Sequence, residues 1–152
     1  MMDGLHLVDY NIGYFSLSKQ WLADEELSHL IHAGELPPDD ERKKWFESLP
    51  NRSDYLIWGV EYLGQPIGVS GLKHVSDGQA EYWGYIGEKT LWGKGIGKFL
   101  MSEIIEKAKS LGLRSVYLRV RKYNPRAYKM YLKFGFSVDS EDEDVYCMSI
   151  NI

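Results

Sequence analysis

The sequence predicts a mixed α/β (α+β) sheet with helices on both faces. Three observations lead there. Strand-like runs rich in aromatic and branched residues follow one another through the middle of the chain. The hydrophobic period then changes to that of a helix near Gly95. Beyond that helix a strand, a second helix and a final strand follow in turn.

The elements can be taken in order. Leu5 to Asp9 can form a short first strand. From Ser18 to His32, Trp21, Leu22, Leu27, Leu30 and Ile31 recur at a mostly helical spacing, with Gly34 as a stop. Pro38, Asp39 and Asp40 open a second short helix through Trp45 and Phe46, its acids at the positive end. Asp54 to Leu63 is the first of the middle strands, with Gly64-Gln65 as its turn. Pro66 to Val75 is the next, closed by the hairpin signal Asp77-Gly78, and Ala80 to Gly87 is the third. Ile96, Leu100, Ile104, Ala108 and Leu111 line one face of the following helix, with Lys107 and Lys109 in its last turn and Gly112 just past its end. Ser115 to Arg121 alternates as a strand. Asn124-Pro125 is an N-cap followed by proline at the first helical position; that helix ends at Gly135, and Val145 to Ile150 is the last strand. No repeat, low-complexity segment or linker splits residues 1–152, so one domain is expected.

Composition narrows the function. The 152 residues are 44% hydrophobic and 26% charged, the balance of a globular protein. A net charge of −4 supplies no basic field for nucleic acid or an anionic membrane. No apolar run reaches the roughly 18 residues that span a bilayer, and the N-terminus does not read as a signal peptide. Cys147, the one cysteine, cannot close an internal disulfide, and a cytoplasmic location is expected.

The segment Gly87-Glu88-Lys89-Thr90-Leu91-Trp92-Gly93-Lys94-Gly95-Ile96-Gly97-Lys98 joins a strand to a helix. It lacks the spacing of a Walker A loop and of the dinucleotide fingerprint. What remains is a glycine-rich turn opening a helix, where exposed N–H groups and the helix dipole can hold an anion. A flexible connection would also explain the glycines. Here the chain resembles the GNAT acetyltransferase superfamily, whose phosphate pattern R/Q-x-x-G-x-G/A is met by Gly95 and Gly97. Trp92 stands where Arg or Gln is commonest, which resembles the subgroup of ribosomal-protein N-terminal acetyltransferases and small-molecule relatives. A second signature, from Asn124 through Ala127 and Tyr131 to Gly135-Phe136, is similar to the family's N-x-x-A-x-x-x-Y-x-K-x-G-F. Each residue alone has a structural explanation; both signatures in order do not arise readily by chance.

The resemblance implies a central sheet of about six to seven strands with a V-shaped opening between its two central strands, often at a β-bulge. It implies acetyl-CoA as cosubstrate, no metal, and a core for it over residues 80–136. Its pantetheine arm would pair with the strand edge Tyr85, Ile86 and Gly87, and its pyrophosphate would lie on Trp92, Gly93, Lys94, Gly95, Ile96, Gly97 and Lys98. Asn124 would touch the pantetheine or order a water, and Tyr131 would protonate the leaving thiolate. The base is less clear: Glu81 begins the strand leading to the site, while one bacterial branch keeps its base at the position of Arg119, which cannot serve. His74 is a solvated loop histidine or a base; His29 and His32, at i, i+3 spacing without acidic partners, are poor metal ligands.

The acceptor would be a small-molecule primary amine shaped by residues 1–50, where Tyr10, Tyr14, Phe15, Trp21, Trp45 and Phe46 are concentrated. Trp21 and Trp45 are expected in the core, and the remainder could stack on a sugar or base. Asp40 to Pro50 and Gln65 to Gly68 modestly resemble enzymes acting on nucleotide-linked aminosugars. Arg42, Lys43, Lys44 and Arg52 could meet phosphates or form a solvated face. Asp24, Glu25 and Glu26 would suit a polyamine; a protein N-terminus or a non-catalytic CoA-binding module are the other readings. Exposed strand edges near the C-terminus leave a homodimer open.

Overall fold

The computed structural model describes residues 3–31 and 36–152; Gly34, expected as a helix stop, and His32 lie outside them. The sheet has seven strands: β1 (Leu5–Asp9), β2 (Leu56–Tyr62), β3 (Gln65–Ser76), β4 (Gln79–Ile86), β5 (Ser115–Arg121), β6 (Ser137–Glu141) and β7 (Val145–Asn151). In space they run β1-β2-β3-β4-β5-β7-β6, antiparallel except for β4 beside β5. Helices α1 (Ile12–Leu22), α2 (Glu25–Ile31) and α3 (Asp39–Ser48) cover one face, with Tyr14, Trp21 and Leu27 packed on Val69 and Tyr85. Helices α4 (Ile96–Ser110) and α5 (Pro125–Phe134) cover the other, against Leu72, Ala80, Val116 and Leu118.

Local chemistry redraws several expected boundaries. The Asn11 side chain accepts from the Gly13 and Tyr14 N–H groups, so α1 starts well before Ser18. The Asp24 carboxylate accepts the Leu27 N–H at 3.0 Å, a fresh cap that breaks the expected Ser18–His32 helix in two. The first hairpin turns at Leu63-Gly64, not Gly64-Gln65: both residues have positive φ, 51° and 81°, as do Asp77 and Gly78 in the second. Leu111 is 53% exposed, and Leu113 takes its place in the core. An unforeseen strand, β6, pairs with β7 although all its residues are exposed. An edge strand of that kind carries no apolar alternation to announce it.

Two features position the site. The parallel pairing of β4 with β5 covers only Gln79 to Glu81 against Ser115 to Tyr117. Beyond it the two strands part, and the sheet opens into a V. On the face of α1, aromatic rings press closely on glycines of β2 and β3 and on the glycine that follows β4. A Cβ at Gly59 would come within 2.3 Å of the Tyr14 ring, one at Gly87 within 2.2 Å of the Trp21 indole, and one at Gly71 within 2.7 Å of Trp83 Nε1. These close approaches need glycine because any side chain there would displace a ring.

Candidate active site

At the open end of β4 both the Gly87 and Glu88 N–H groups reach the Ile67 carbonyl, at 2.7 and 3.3 Å. Two residues facing one is a β-bulge, and it ends the pairing with β3. Since the Gly87 N–H points to β3, the Ile86 peptide groups point the other way, into the gap. There the Trp92 indole N–H donates to the Ile86 carbonyl at 2.8 Å. That bond gives a physical role to the tryptophan that departs from the family pattern. The Ile86 N–H faces a gap that no strand fills.

The glycine loop follows. Gly93 and Gly95 hold φ of 77° and 84°, and Gly95 caps α4 without a side-chain acceptor. Among the described residues nothing accepts from the Ile96, Gly97 or Lys98 N–H groups. No acid lies in the first turn of α4 or of α5. Two uncompensated positive helix ends therefore face the same space. Asn124 caps α5, its Oδ1 accepting the Ala127 N–H at 3.4 Å. The Arg126 guanidinium sits over the loop, 3.6 Å from where a Gly93 Cβ would be.

These elements enclose a cavity of about 690 Å³. Of the expected residues, Tyr85, Ile86, Trp92, Gly93, Gly95, Ile96, Gly97, Lys98, Asn124 and Tyr131 line it; Gly87, Lys94 and Glu81 do not. Tyr82, Gly84, Arg126 and Met130 line it as well, unforeseen from the sequence. The strand alternation of β4 would have pointed to Tyr82, and the first-turn position on α5 to Arg126. Tyr131 lies edge-on to Tyr82 and against Phe136; burial first, and Tyr82 second, push its phenol far above the usual value.

Glu81 sits at the vertex of the V on the opposite face from Tyr131, its side chain 14% exposed. Its carboxylate is 3.8 Å from His74 Nε2 and 3.9 Å from Lys73 Nζ. The surrounding face carries a chain of rings: Phe15 on Phe46, Tyr10 on Trp45, Trp45 on Tyr55, Tyr55 on Trp83. Trp21 is in the core as expected, whereas Trp45 is only half-buried. Burial raises the Tyr10 phenol to about 12. Arg42 lies over Phe15 at 4.4 Å, Arg52 over Tyr55 at 4.9 Å while paired to Asp54, and Lys43 reaches Glu47. At the cavity rim, Lys89 holds Asp24 and Glu26 at 3.1 and 2.7 Å, tying α2 to the turn before the loop. His29 stacks on Tyr123 at 4.1 Å. Among the described residues no His, Cys, Asp or Glu side chains group as metal ligands, and no helix is long and apolar enough to cross a membrane.

Known proteins share this architecture. A domain from Methanocaldococcus jannaschii superimposes with a TM-score of 0.85 at 19% identity, over 97% of this chain and 98% of that one. Spermidine N-acetyltransferase from Vibrio cholerae, in complex with CoA and spermine, gives 0.88 at 20% identity, over 97% and 95%. Campylobacter jejuni N-acetyltransferase PseH, in complex with acetyl coenzyme A, gives 0.75 at 24%, over 97% and 98%. In sequence, an uncharacterized M. jannaschii protein is 29% identical over 98 residues, 64% of this chain but 20% of that longer protein. The acetyltransferase (GNAT) family model matches residues 12–136, from the first residue of α1 to just past α5. A match of that extent makes the chain a member of the GNAT family of acetyltransferases.

Proposed function

We propose that the chain is one N-acetyltransferase domain that uses acetyl-CoA to acetylate the primary amine of a small molecule, a nucleotide-linked aminosugar being the favoured acceptor. The observation that carries this is the cavity running from the glycine loop along the gap to Tyr131. The unpaired N–H groups that open α4, with Lys98 and Arg126, suit a pyrophosphate. The Ile86 N–H suits an amide of the pantetheine arm or the thioester oxygen. Retention of Asn124 and Tyr131 in the wall argues against a module that merely holds CoA.

The cosubstrate supplies an acyl group already activated as a thioester. The protein then has to orient the amine and manage two protons. The amine would arrive from the face of α1 and α3, where Glu81 at the vertex would take its proton, directly or through water. Tyr131, on the other face, would donate to the departing thiolate, whose free pKa is about 8.5. Burial keeps that phenol protonated at neutral pH and also makes full proton release uphill, so the oxygen needs support as it loses charge balance.

The acceptor face supports an anionic, ring-bearing amine more than a polyamine. Asp24 and Glu26, the acids that would draw a polycation, are held by Lys89. Arg42 and Arg52 instead bring positive charge to the aromatic wall, though Asp54 offsets Arg52. A homodimer through the exposed β6 edge fits this reading but is not required by it. A free-thiol release assay over nucleotide-linked aminosugars, spermidine and peptide N-termini tests it. Turnover should need both the sugar amine and the nucleotide diphosphate. Preference for spermidine or a peptide rejects the acceptor; no thiol release above background with any of these amines, despite bound acetyl-CoA, rejects the transferase reading.

A further inference from the structure

Strand alternation shows which charges surround the amine side of the V. On β5, Val116, Leu118 and Val120 are buried in the core beneath α4 and α5. Tyr117, Arg119 and Arg121 therefore stand on the opposite face, the one that Glu81 occupies. Tyr117 pairs with Glu81 at the vertex. Arg119 follows two residues later, about 7 Å along the strand, on the arm that has parted from β4. It is exposed, and among the described residues it has no ion pair or hydrogen bond. The other cations of this side are engaged. Arg42 donates to the Phe15 carbonyl at 3.1 Å, and Arg52 is paired to Asp54. Arg121 is half-buried, its guanidinium 5.4 Å over the Tyr123 ring.

The acids do not balance this charge. Lys73 pairs in register with Glu81, and its Nζ lies 3.9 Å from that carboxylate. The next residue of a regular strand would face the other way. Here the register breaks after Lys73, and His74, with φ of 54°, turns back to within 3.8 Å of the same carboxylate. Asp54 is taken by Arg52. Asp142 feels the Arg119 charge from the turn between β6 and β7, but its Oδ1 accepts two backbone N–H groups. Glu81 is thus one carboxylate among Lys73, His74 and Arg119. A polycation would meet like charge there, whereas an amine that carries its own anion is drawn in and oriented.

We propose that Arg119 is the residue that binds the acceptor's phosphate, holding it on the β5 arm while the amine of the same molecule lies at Glu81. A guanidinium presents two parallel N–H donors that match a phosphate, and an exposed one can reach it without breaking a contact of the fold. The offset of about 7 Å between the two positions suits an amine and a phosphate on opposite sides of one sugar ring. This deepens the proposed function and rests on its placement of the amine at Glu81, but it moves the phosphate from the aromatic wall to β5. Arg119 meets a part of the acceptor remote from the reacting atoms, so it governs acceptor binding and orientation while Glu81 and Tyr131 handle the protons.

The first test is calorimetric titration of the full chain with a nucleoside diphosphate, after loading with CoA so that the cofactor's own phosphate site is filled. Arg119→Gln should weaken binding about tenfold to a hundredfold, the range for hydrogen bonds to a charged group, with the melting temperature hardly moved. Arg119→Lys should recover part of the loss, and Arg42→Gln should cost much less. The second test is steady-state turnover with acetyl-CoA and a nucleotide-linked aminosugar, in which Arg119→Gln should raise KM by the same factor and act little on kcat. A diphosphate that binds neither protein, or binds wild type and Arg119→Gln alike, overturns the phosphate site. Loss of binding in Arg42→Gln alone does the same and returns the phosphate to α3. If the aminosugar nucleotide is acetylated with a KM that Arg119→Gln does not change, the role of Arg119 falls and the proposed function stands. Preference for spermidine over every phosphate-bearing amine overturns both.

Discussion

Gly97 allows the pyrophosphate placement to be separated from the stability of the fold. It is the second residue of α4, with ordinary helical backbone, and lines the cavity. A Cβ there would meet only Met130 Cε, at 3.4 Å, the free end of a flexible side chain. Gly95 is a poorer probe: nothing crowds it, but its φ of 84° makes any L residue strained, at roughly 1–2 kcal/mol. Gly97→Ala should instead stabilise the unliganded protein by up to ~1 kcal/mol, since alanine loses less backbone freedom in a helix. The same methyl group would keep a phosphate from the N–H groups of the first turn. Loss of such charge-assisted bonding costs about 1.5–3 kcal/mol, about 10- to 150-fold in Kd. At ligand 100-fold above the wild-type Kd, binding stabilises by ~2.7 kcal/mol; after a ~30-fold loss it stabilises by ~0.9 kcal/mol. For a chain of this size the acetyl-CoA-induced rise in Tm would fall from about 5–10 °C to about 2–3 °C. Thermal scans with and without acetyl-CoA read both effects at once. A variant that gains stability and keeps the full ligand shift would show that the phosphates do not approach this backbone.

Trp92→Phe removes the donor to the Ile86 carbonyl and leaves that group unpaired in the gap, so urea unfolding should show a loss of about 1–3 kcal/mol. Calorimetric titration should show weaker acetyl-CoA binding as well. An unchanged pair of values would make the indole a surface ornament of the loop. Asp142 Oδ1 accepts the Asp144 and Val145 N–H groups at 2.7 and 2.8 Å, which holds its carboxyl below the usual range. Its stabilisation is present above the unfolded value near 4 and is lost as pH falls through the lower folded value. Asp142→Asn keeps an acceptor oxygen but not the titration, so its Tm deficit should shrink as pH drops from about 5 to below about 3. A deficit that stays constant would contradict the assignment.

The parts of the site that the sequence announced are the local ones. Gly93, Gly95 and the Asn124-Pro125 start are dictated by φ, caps and missing acceptors within a few residues of chain. The V could be expected only through resemblance, because strand separation is a relation between β4 and β5. Arg126 over Gly93 depends on a neighbour far away in sequence, and Trp92 reaches the Ile86 carbonyl only through the fold of the turn between them. Periodicity failed where it has no purchase, at the wholly exposed β6 and at the α1–α2 break set by one aspartate. The cations Arg42 and Arg52 looked free in sequence; their rings and Asp54 appear only once the chain is folded.

The manner in which α1 and α3 are attached has an evolutionary and a dynamic side. Helix α1 is keyed to the sheet, with Tyr14 and Trp21 seated on glycines of β2 and at the end of β4. Helix α3 has no buried residue and rests on half-buried rings, a guanidinium and one lysine–aspartate pair between Lys19 and Asp39. Substitutions in α3 therefore leave the sheet undisturbed, while substitutions in α1 propagate into it. Amide exchange in α3 can proceed by local opening, whereas the seats of α1 open with the core. The outer wall of the face proposed to receive the amine is in effect a replaceable panel, one whose chemistry can change without disturbing the sheet beneath it.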